Sequence, residues 1–447
     1  MPELPTLTEF KIETAPNQVI HLVFDAPGRS MNVFSNAAIL ELARFAAWLK
    51  TADVAGVVVR SAKPAFCAGA DLAELGAAYD MIMAAPKPDR FRVAYDHFFA
   101  LSQALRALET CGKPVSAAIG GLALGGGCEL ALGCHYRVMA DSPAAALGLP
   151  ESLVGLLPGA GGTQRLPRLI GIEAALPVLL DGKRLTPTEA LARGAVHQLA
   201  PPGEEVAAAE RWVLAAPTVR QPWDEPDWRA ADAETVGAAI APLRARMMAQ
   251  TRGHYPAPLA ILDCLEQGLP QPMDRAIETE MTVFSGLIQR PEPRDMIRSL
   301  FHGKQDYDRR LRRDDLPAAT AHIEASVAVA LAKAVAGAHA GGLDEAEIVD
   351  ALAEAGFTKA VAGLPPPDPS RLGSVAEPPR LALAQSFVVA SAQAVAPYAA
   401  ILGDADQRVV DYALILRLGF PAFLGGPFAL LEQLGDAQPQ TAFEARP

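Results

Sequence analysis

The chain carries one conspicuously glycine-rich run, Gly120-Gly121-Leu122-Ala123-Leu124-Gly125-Gly126-Gly127-Cys128-Glu129-Leu130. Three glycines in a row precede a helical pattern, so bare backbone N–H groups open a helix whose dipole favours negative charge. Glu129, one turn in, directs a carboxylate toward the same place. Taken alone, the glycines serve equally well for close helix packing, with Glu129 a favourable first-turn acid. Just upstream, Val115–Ile119 reads as a buried strand. The unit is therefore strand, glycine turn, helix, which is where α/β folds bind ligands.

Two further segments repeat that pattern. After the strand of residues 56–60 comes Phe66-Cys67-Ala68-Gly69-Ala70-Asp71-Leu72, whose small residues let a ligand approach an amide N–H closely. Downstream, Leu147-Gly148-Leu149-Pro150-Glu151 offers a second carboxylate on a proline-preceded turn. Residues 156–166, Leu-Leu-Pro-Gly-Ala-Gly-Gly-Thr-Gln-Arg-Leu, then open another glycine-rich helix. Two glutamates on preorganised turns can hold one water, one taking its proton while the other supplies a proton elsewhere. Strand-like Val19–Phe24 and a helix over residues 36–50 extend the alternation toward the N-terminus. Thr186-Pro187-Thr188-Glu189 carries a capping box with proline at the first helical position, and Gly194 stops that helix.

The whole chain has 447 residues, half of them apolar, and a formal charge of −12. That length exceeds one core, and the acidic balance argues against a nucleic-acid surface. Five cysteines (Cys67, Cys111, Cys128, Cys134 and Cys264) without metal or paired spacing read as reduced thiols. No metal site is expected. The acidic start MPELPTLTEF lacks a secretory pattern, so a cytoplasmic protein is expected. Residues 381–402 are uncharged but only weakly apolar, which predicts a buried helix rather than a membrane span.

Past residue 200 the prolines 201, 202, 217, 222 and 226 punctuate a loosely structured passage before helical patterns over residues 236–302. Residues 304–315, with Arg309, Arg310, Arg312 and Arg313, read as a charged linker into an alanine-rich helical region. There Ala334-Val335-Ala336 leads through Asp344 to Gly356-Phe357, and Ala394-Val395-Ala396 leads through Asp406 to Gly419-Phe420, a faint duplication. Prolines 365–367 and 378–379 are expected in the loop between the halves. The division expected is residues 1–200 as an α/β core, 201–315 as a helical extension and linker, and 316–447 as an all-α domain.

In order and spacing, the three glycine-bearing segments resemble the crotonase (enoyl-CoA hydratase/isomerase) superfamily, over about residues 15–200. The resemblance implies an α/β crotonase fold of ββα repeats. It implies that the N–H groups of Ala70 and Gly126 bind a thioester oxygen, and that Glu129 and Glu151 add water to a trans-2-enoyl-CoA. Ala68, Gly69, Asp71, Gly125 and Lys63 are the implied substrate and CoA contacts. Relatives that only shift a double bond usually keep one carboxylate, at the position of Glu151, so the presence of both favours hydration. Isomerisation, acyl-CoA hydrolysis and a non-catalytic partner role are the alternatives. His135 stands where the family usually has aspartate, the loop of residues 141–146 is slightly lengthened, and residues 77–95 form an insertion that bears on acyl-chain selection or is a variable surface loop.

The string of residues 419–428, Gly-Phe-Pro-Ala-Phe-Leu-Gly-Gly-Pro-Phe, resembles the helical C-terminal domain of 3-hydroxyacyl-CoA dehydrogenases. In multifunctional β-oxidation enzymes a dinucleotide-binding domain precedes that domain, yet no GxGxxG fingerprint occurs after residue 200. The resemblance therefore implies no NAD, with acyl-CoA as substrate. The helical domain is expected to act structurally, in a homo-oligomer or in association with a separate 3-hydroxyacyl-CoA dehydrogenase.

Overall fold

The structure, a computed structural model, describes residues 3–217, 219–372 and 378–435. They fall into two compact units, one drawn from Met1–Ile240 and Ala260–Gln289, the other from Ala241–Leu259 and Arg290–Pro447. The expected extension is thus divided between them.

The strands of the first unit are β1 (Phe10–Thr14), β2 (Val19–Phe24), β3 (Gly56–Ser61), β4 (Val115–Ile119), β5 (Leu122–Leu124), β6 (Tyr136–Ala140), β7 (Ala146–Gly148) and β8 (Gln198–Ala200). Six of them form one sheet in the order β1-β2-β3-β4-β6-β8. β1 is antiparallel to β2, and the rest are parallel, with Val19 opposite Gly56, Val57 opposite Val115 and Ser116 opposite Tyr136. β4 is buried along its whole length and β3 over its first four residues. A parallel sheet covered on both faces requires such continuous apolar runs.

The helices associated with this unit are α1 (Asn36–Leu49), α2 (Leu72–Ala84), α3 (Arg90–Glu109), α4 (Gly126–Gly133), α5 (Gly162–Ile170), α6 (Ile172–Leu180), α7 (Pro187–Arg193), α8 (Glu205–Leu214), α9 (Ala233–Thr251), α10 (Pro256–Gly268) and α11 (Met273–Leu287). α9 and α10 each contribute residues to both units. Between a main-sheet strand and its helix lies a second extended segment. β5 pairs in parallel with β7, Leu124 opposite Gly148, and Cys67 makes a parallel bridge to Ala123. Each repeat is thus β, β, α, the arrangement that the resemblance implies. The capping box at Thr186 is present, and Gly194 ends α7 in the left-handed conformation.

Four expectations need correction, the last of them in the second unit. The passage after residue 200 holds α8, whose Ala208, Ala209 and Val213 are buried with Val58, Ala118 and Val138, so the core continues past the prolines. Residues 77–95 are not a loop: they complete α2, pass Pro86, and enter α3. Lys304–Leu311 is helical rather than a linker, and its charges are paired. Arg310 meets Asp406 at 2.6 Å, and Arg309 meets Asp306 three residues back.

The second unit contains α12 (Pro291–Met296), α13 (Lys304–Leu311), α14 (Thr320–Ala340), α15 (Glu345–Ala355), α16 (Pro378–Ala399), α17 (Asp404–Leu418) and α18 (Pro427–Leu434). Pro378 and Pro379 start α16 instead of lying in a loop, as proline's fixed φ allows in a first turn. α14 and α16 are both long and apolar enough, by length and composition, to cross a membrane. Each also buries a stripe in this unit's core: Ile323, Val327, Leu331 and Val335 on α14, with Ala384, Phe387, Val388, Ala392 and Val395 on α16. The duplicated string has a structural counterpart. Gly356 and Gly419 end α15 and α17 in the left-handed region, and the rings of Phe357 and Phe420 meet edge to face at 5.9 Å.

Candidate active site

The short β5–β7 pair positions the site. Gly125 N–H donates to Gly148 O at 2.9 Å, so the chain leaves β5 toward Gly126 beside the point where it leaves β7 toward Glu151. On the other flank, Leu124 N–H donates to Cys67 O at 2.9 Å, which fastens the turn of residues 68–71 alongside. All three glycine-bearing segments therefore end at one place.

Gly125 sits at the junction with φ 53° and ψ −129°, a conformation that side chains resist. A Cβ there would lie 2.8 Å from a Glu151 carboxylate oxygen and 3.3 Å from Gly69 Cα. Gly69 in turn faces Leu124 O, Gly125 Cα and Gly126 N. The structure thus gathers Gly69, Ala70, Gly125, Gly126 and Glu151, with Ala68 in the same turn. Ala70 lies between the two bonds of the bridge to Phe34, which use Gly69 O and Asp71 N–H, and Gly126 is the first residue of α4. Neither the Ala70 nor the Gly126 N–H donates to backbone among the described residues.

Glu129 is buried in the first turn of α4. Its Oε1 accepts from Ala160 N–H at 2.7 Å and Gly162 N–H at 2.8 Å, so the glycine turn before α5 fixes its direction. Burial pushes this carboxyl up to about 6, against the lowering effect of those two donors. Glu151 begins a 3-10 turn, Glu151–Val154, and its buried Oε2 has no hydrogen-bond partner. Burial, then the charge of Glu129, raises its pKa well above the usual carboxylate range. The pair is thus split by environment: one carboxyl is stabilised as an acceptor, the other is favoured with a proton.

Two of the implied contacts are committed elsewhere. Asp71 caps α2, with Oδ1 accepting from Ala73 N–H at 3.0 Å and Oδ2 paired to Arg29. Lys63 donates its ammonium to the carbonyl oxygens of Ala26 and Arg29. His135 serves the core: Nδ1 accepts from Val115 N–H at 3.2 Å, Nε2 lies 2.9 Å from Glu109 O, and burial holds its pKa low. The five cysteines are free and buried.

The sequence reading passed over Glu280. It is fully buried on α11 and reaches the same turn as Glu129, its Oε1 accepting from Gly161 N–H at 2.6 Å and its Oε2 from Thr163 N–H at 3.0 Å and the Thr163 hydroxyl. Arg165 secures the turn further: it donates to Ala160 O at 2.8 Å and makes a fork to Glu109 with both bonds at 3.1 Å.

A family model described as enoyl-CoA hydratase/isomerase matches residues 14–223. Fatty acid oxidation complex subunit alpha of Shewanella amazonensis is 36% identical over 297 residues, and that of Shewanella loihica 37% identical over 297 residues. Each alignment covers 65% of this chain, and the chain spans 40% of the length of those relatives. Among solved structures, an enoyl-CoA hydratase from Bacillus anthracis is 24% identical and has a TM-score of 0.41, over 66% of this chain and 96% of that one.

Proposed function

Residues 14–223 form a domain of the enoyl-CoA hydratase/isomerase (crotonase) family, and from that premise we propose that the chain hydrates trans-2-enoyl-CoA thioesters to 3-hydroxyacyl-CoA. The observation that carries this reading is the split pair. Glu129 is held as an acceptor by two N–H groups, and the Oε2 of Glu151 is buried without a partner. The N–H groups of Ala70 and Gly126 receive the thioester oxygen and stabilise the enolate that forms as C3 is attacked. Glu129 takes a proton from water while the water oxygen bonds to C3, and Glu151 gives a proton to C2. One water is added, and proton exchange between the carboxyls and solvent restores the pair.

Addition of water is redox-neutral, so the proposed reaction requires no nicotinamide, and the family's substrates are acyl-CoA thioesters. The likeness to fatty acid oxidation complex alpha subunits supports a place in acyl-CoA breakdown, which we place in the cytoplasm with a separate dehydrogenase oxidising the product. An isomerase would instead move a proton between C2 and C4 with a single carboxyl. The test offers trans-2-enoyl-CoA and 3-enoyl-CoA separately and identifies products by chromatography. The 2-enoyl substrate is expected to give the 3-hydroxyacyl product at the higher kcat/KM. Turnover of the 3-enoyl substrate to the 2-enoyl product, without a hydroxyacyl product from either, would replace hydration by isomerisation. Titration calorimetry with NAD is expected to show no binding, and a micromolar signal would contradict that part of the reading.

The pH dependence follows from the roles. Glu129 must be ionised to accept a proton, so kcat/KM is expected to rise with pH through about 6. Glu151 must be protonated, so kcat/KM is expected to fall at a higher pH, where that carboxyl ionises. A rate that increases as pH drops below 6 would assign Glu129 a different role.

A further inference from the structure

We propose that Glu280 is a positioning residue for this site, clamping the turn of residues 160–163 so that Glu129 is aimed. The inference rests on Glu129 and Glu151 performing the hydration proposed above.

The geometry is an alternation. Along the turn, the N–H groups of Ala160 and Gly162 point to Glu129, and those of Gly161 and Thr163 point to Glu280. Two carboxylates from different helices thus hold successive amides of the same turn from opposite sides. Any rotation of the Gly161 or Gly162 peptide that freed Glu280 would also move a donor away from Glu129. The turn has little slack, because Arg165 holds Ala160 O and a Cβ on Gly162 would lie 2.8 Å from the Glu129 carboxylate.

Glu280 makes an unusual helix-to-helix fastening. It is fully buried, accepts three hydrogen bonds from neutral groups, and has no direct cationic partner among its hydrogen bonds. The charged and titratable groups facing it are Glu129 on α4, Glu151 on the 3-10 turn, Arg165 and Arg168 on α5, and Cys264 on α10. Arg165 is committed to Glu109, and Arg168 to the carbonyls of Gly268 and Gln271. An uncompensated buried carboxylate is costly where fastening alone is needed. When ionised, it acts on the other two acids as well. Burial and the charge of Glu129 push Glu280 up to about 8. Once Glu280 is ionised, its charge adds to that of Glu129 in keeping the proton on Glu151.

The experiment compares pH profiles of kcat and KM for the unsubstituted 447-residue chain, Glu280→Gln and Thr163→Val. Glu280→Gln is expected to lower kcat by about tenfold to a hundredfold with little change in KM, since Glu280 touches no substrate. It is also expected to move the alkaline limb of kcat/KM down by about one pH unit, since a neutral neighbour no longer opposes ionisation of Glu151. Thr163→Val removes one donor to Glu280 and leaves every charge in place. It is expected to move the same limb in the same direction by a smaller amount, and it carries the test if Glu280→Gln fails to fold. Loss of stability with both limbs unmoved in whichever variants fold would reduce Glu280 to a structural fastening and leave the hydratase reading intact. Absence of hydration by the wild-type protein would overturn both.

Discussion

Glu129→Gln and Glu151→Gln are each expected to lower kcat by about two to four orders of magnitude while leaving the thermal unfolding transition nearly in place. An amide oxygen at position 129 still accepts from the N–H groups of Ala160 and Gly162, so the turn before α5 keeps its anchor. The amide cannot take a proton from water. At position 151 the carboxyl has an unpartnered oxygen in a buried place, so a neutral amide of the same shape fits without a charge to desolvate. It cannot deliver a proton to C2. Steady-state kinetics beside circular dichroism of the two variants checks this. Full activity in either variant would remove that glutamate from the mechanism.

Gly127→Ala is expected to be damaging for a different reason. A Cβ at Gly127 would lie 2.5 Å from Cys67 O and 2.6 Å from Cys67 Cβ, and the first of these is backbone that no rotamer can move. The contact is where α4 packs against the segment that leads to Ala70. Relief requires separating the two turns whose amides are assigned to the thioester oxygen, so affinity for the transition state and stability are lost together. Overpacking of this kind costs about 1–3 kcal/mol, occasionally more. Thermal unfolding and kcat/KM measured on the same sample are both expected to fall. A stable, fully active Gly127→Ala protein would show that the two turns are not held by this contact.

The glycine turns and the two glutamates were legible because their signals are local. Bare amides at a helix start need glycine, a strand buried on both faces needs a run such as Val57-Val58-Val59, and a capping box needs Thr186 and Glu189 at fixed spacing. Contacts between distant segments left weaker traces. Asp71 and Lys63 sit beside the glycine turn in sequence, yet their partners Arg29 and Ala26 come from residues earlier in the chain that no spacing rule connects to them. The prolines after residue 200 hid α8 because they flank that helix without interrupting it. The arginine run that includes α13 looked like a linker, in part because Asp406, the acidic partner of Arg310, lies far along the chain.

Glu280 left one readable trace. Met273, Ala276, Ile277, Met281, Phe284 and Leu287 form the buried stripe of α11, and Glu280 falls within it. An acid on the apolar face of a helix requires a partner, and here the partner is a turn more than a hundred residues away in sequence. Periodicity can flag such a residue, but only the tertiary fold shows which amides it meets.

This site is expected to add water across a conjugated thioester. A decisive measurement incubates the 447-residue chain with a trans-2-enoyl-CoA in oxygen-18 water, follows the conjugated-thioester absorbance, and locates the label by mass spectrometry. Loss of absorbance with the label in a hydroxyl at C3 of an intact CoA thioester is the expected result. Unchanged absorbance, or label found only in a free carboxylic acid, would contradict it.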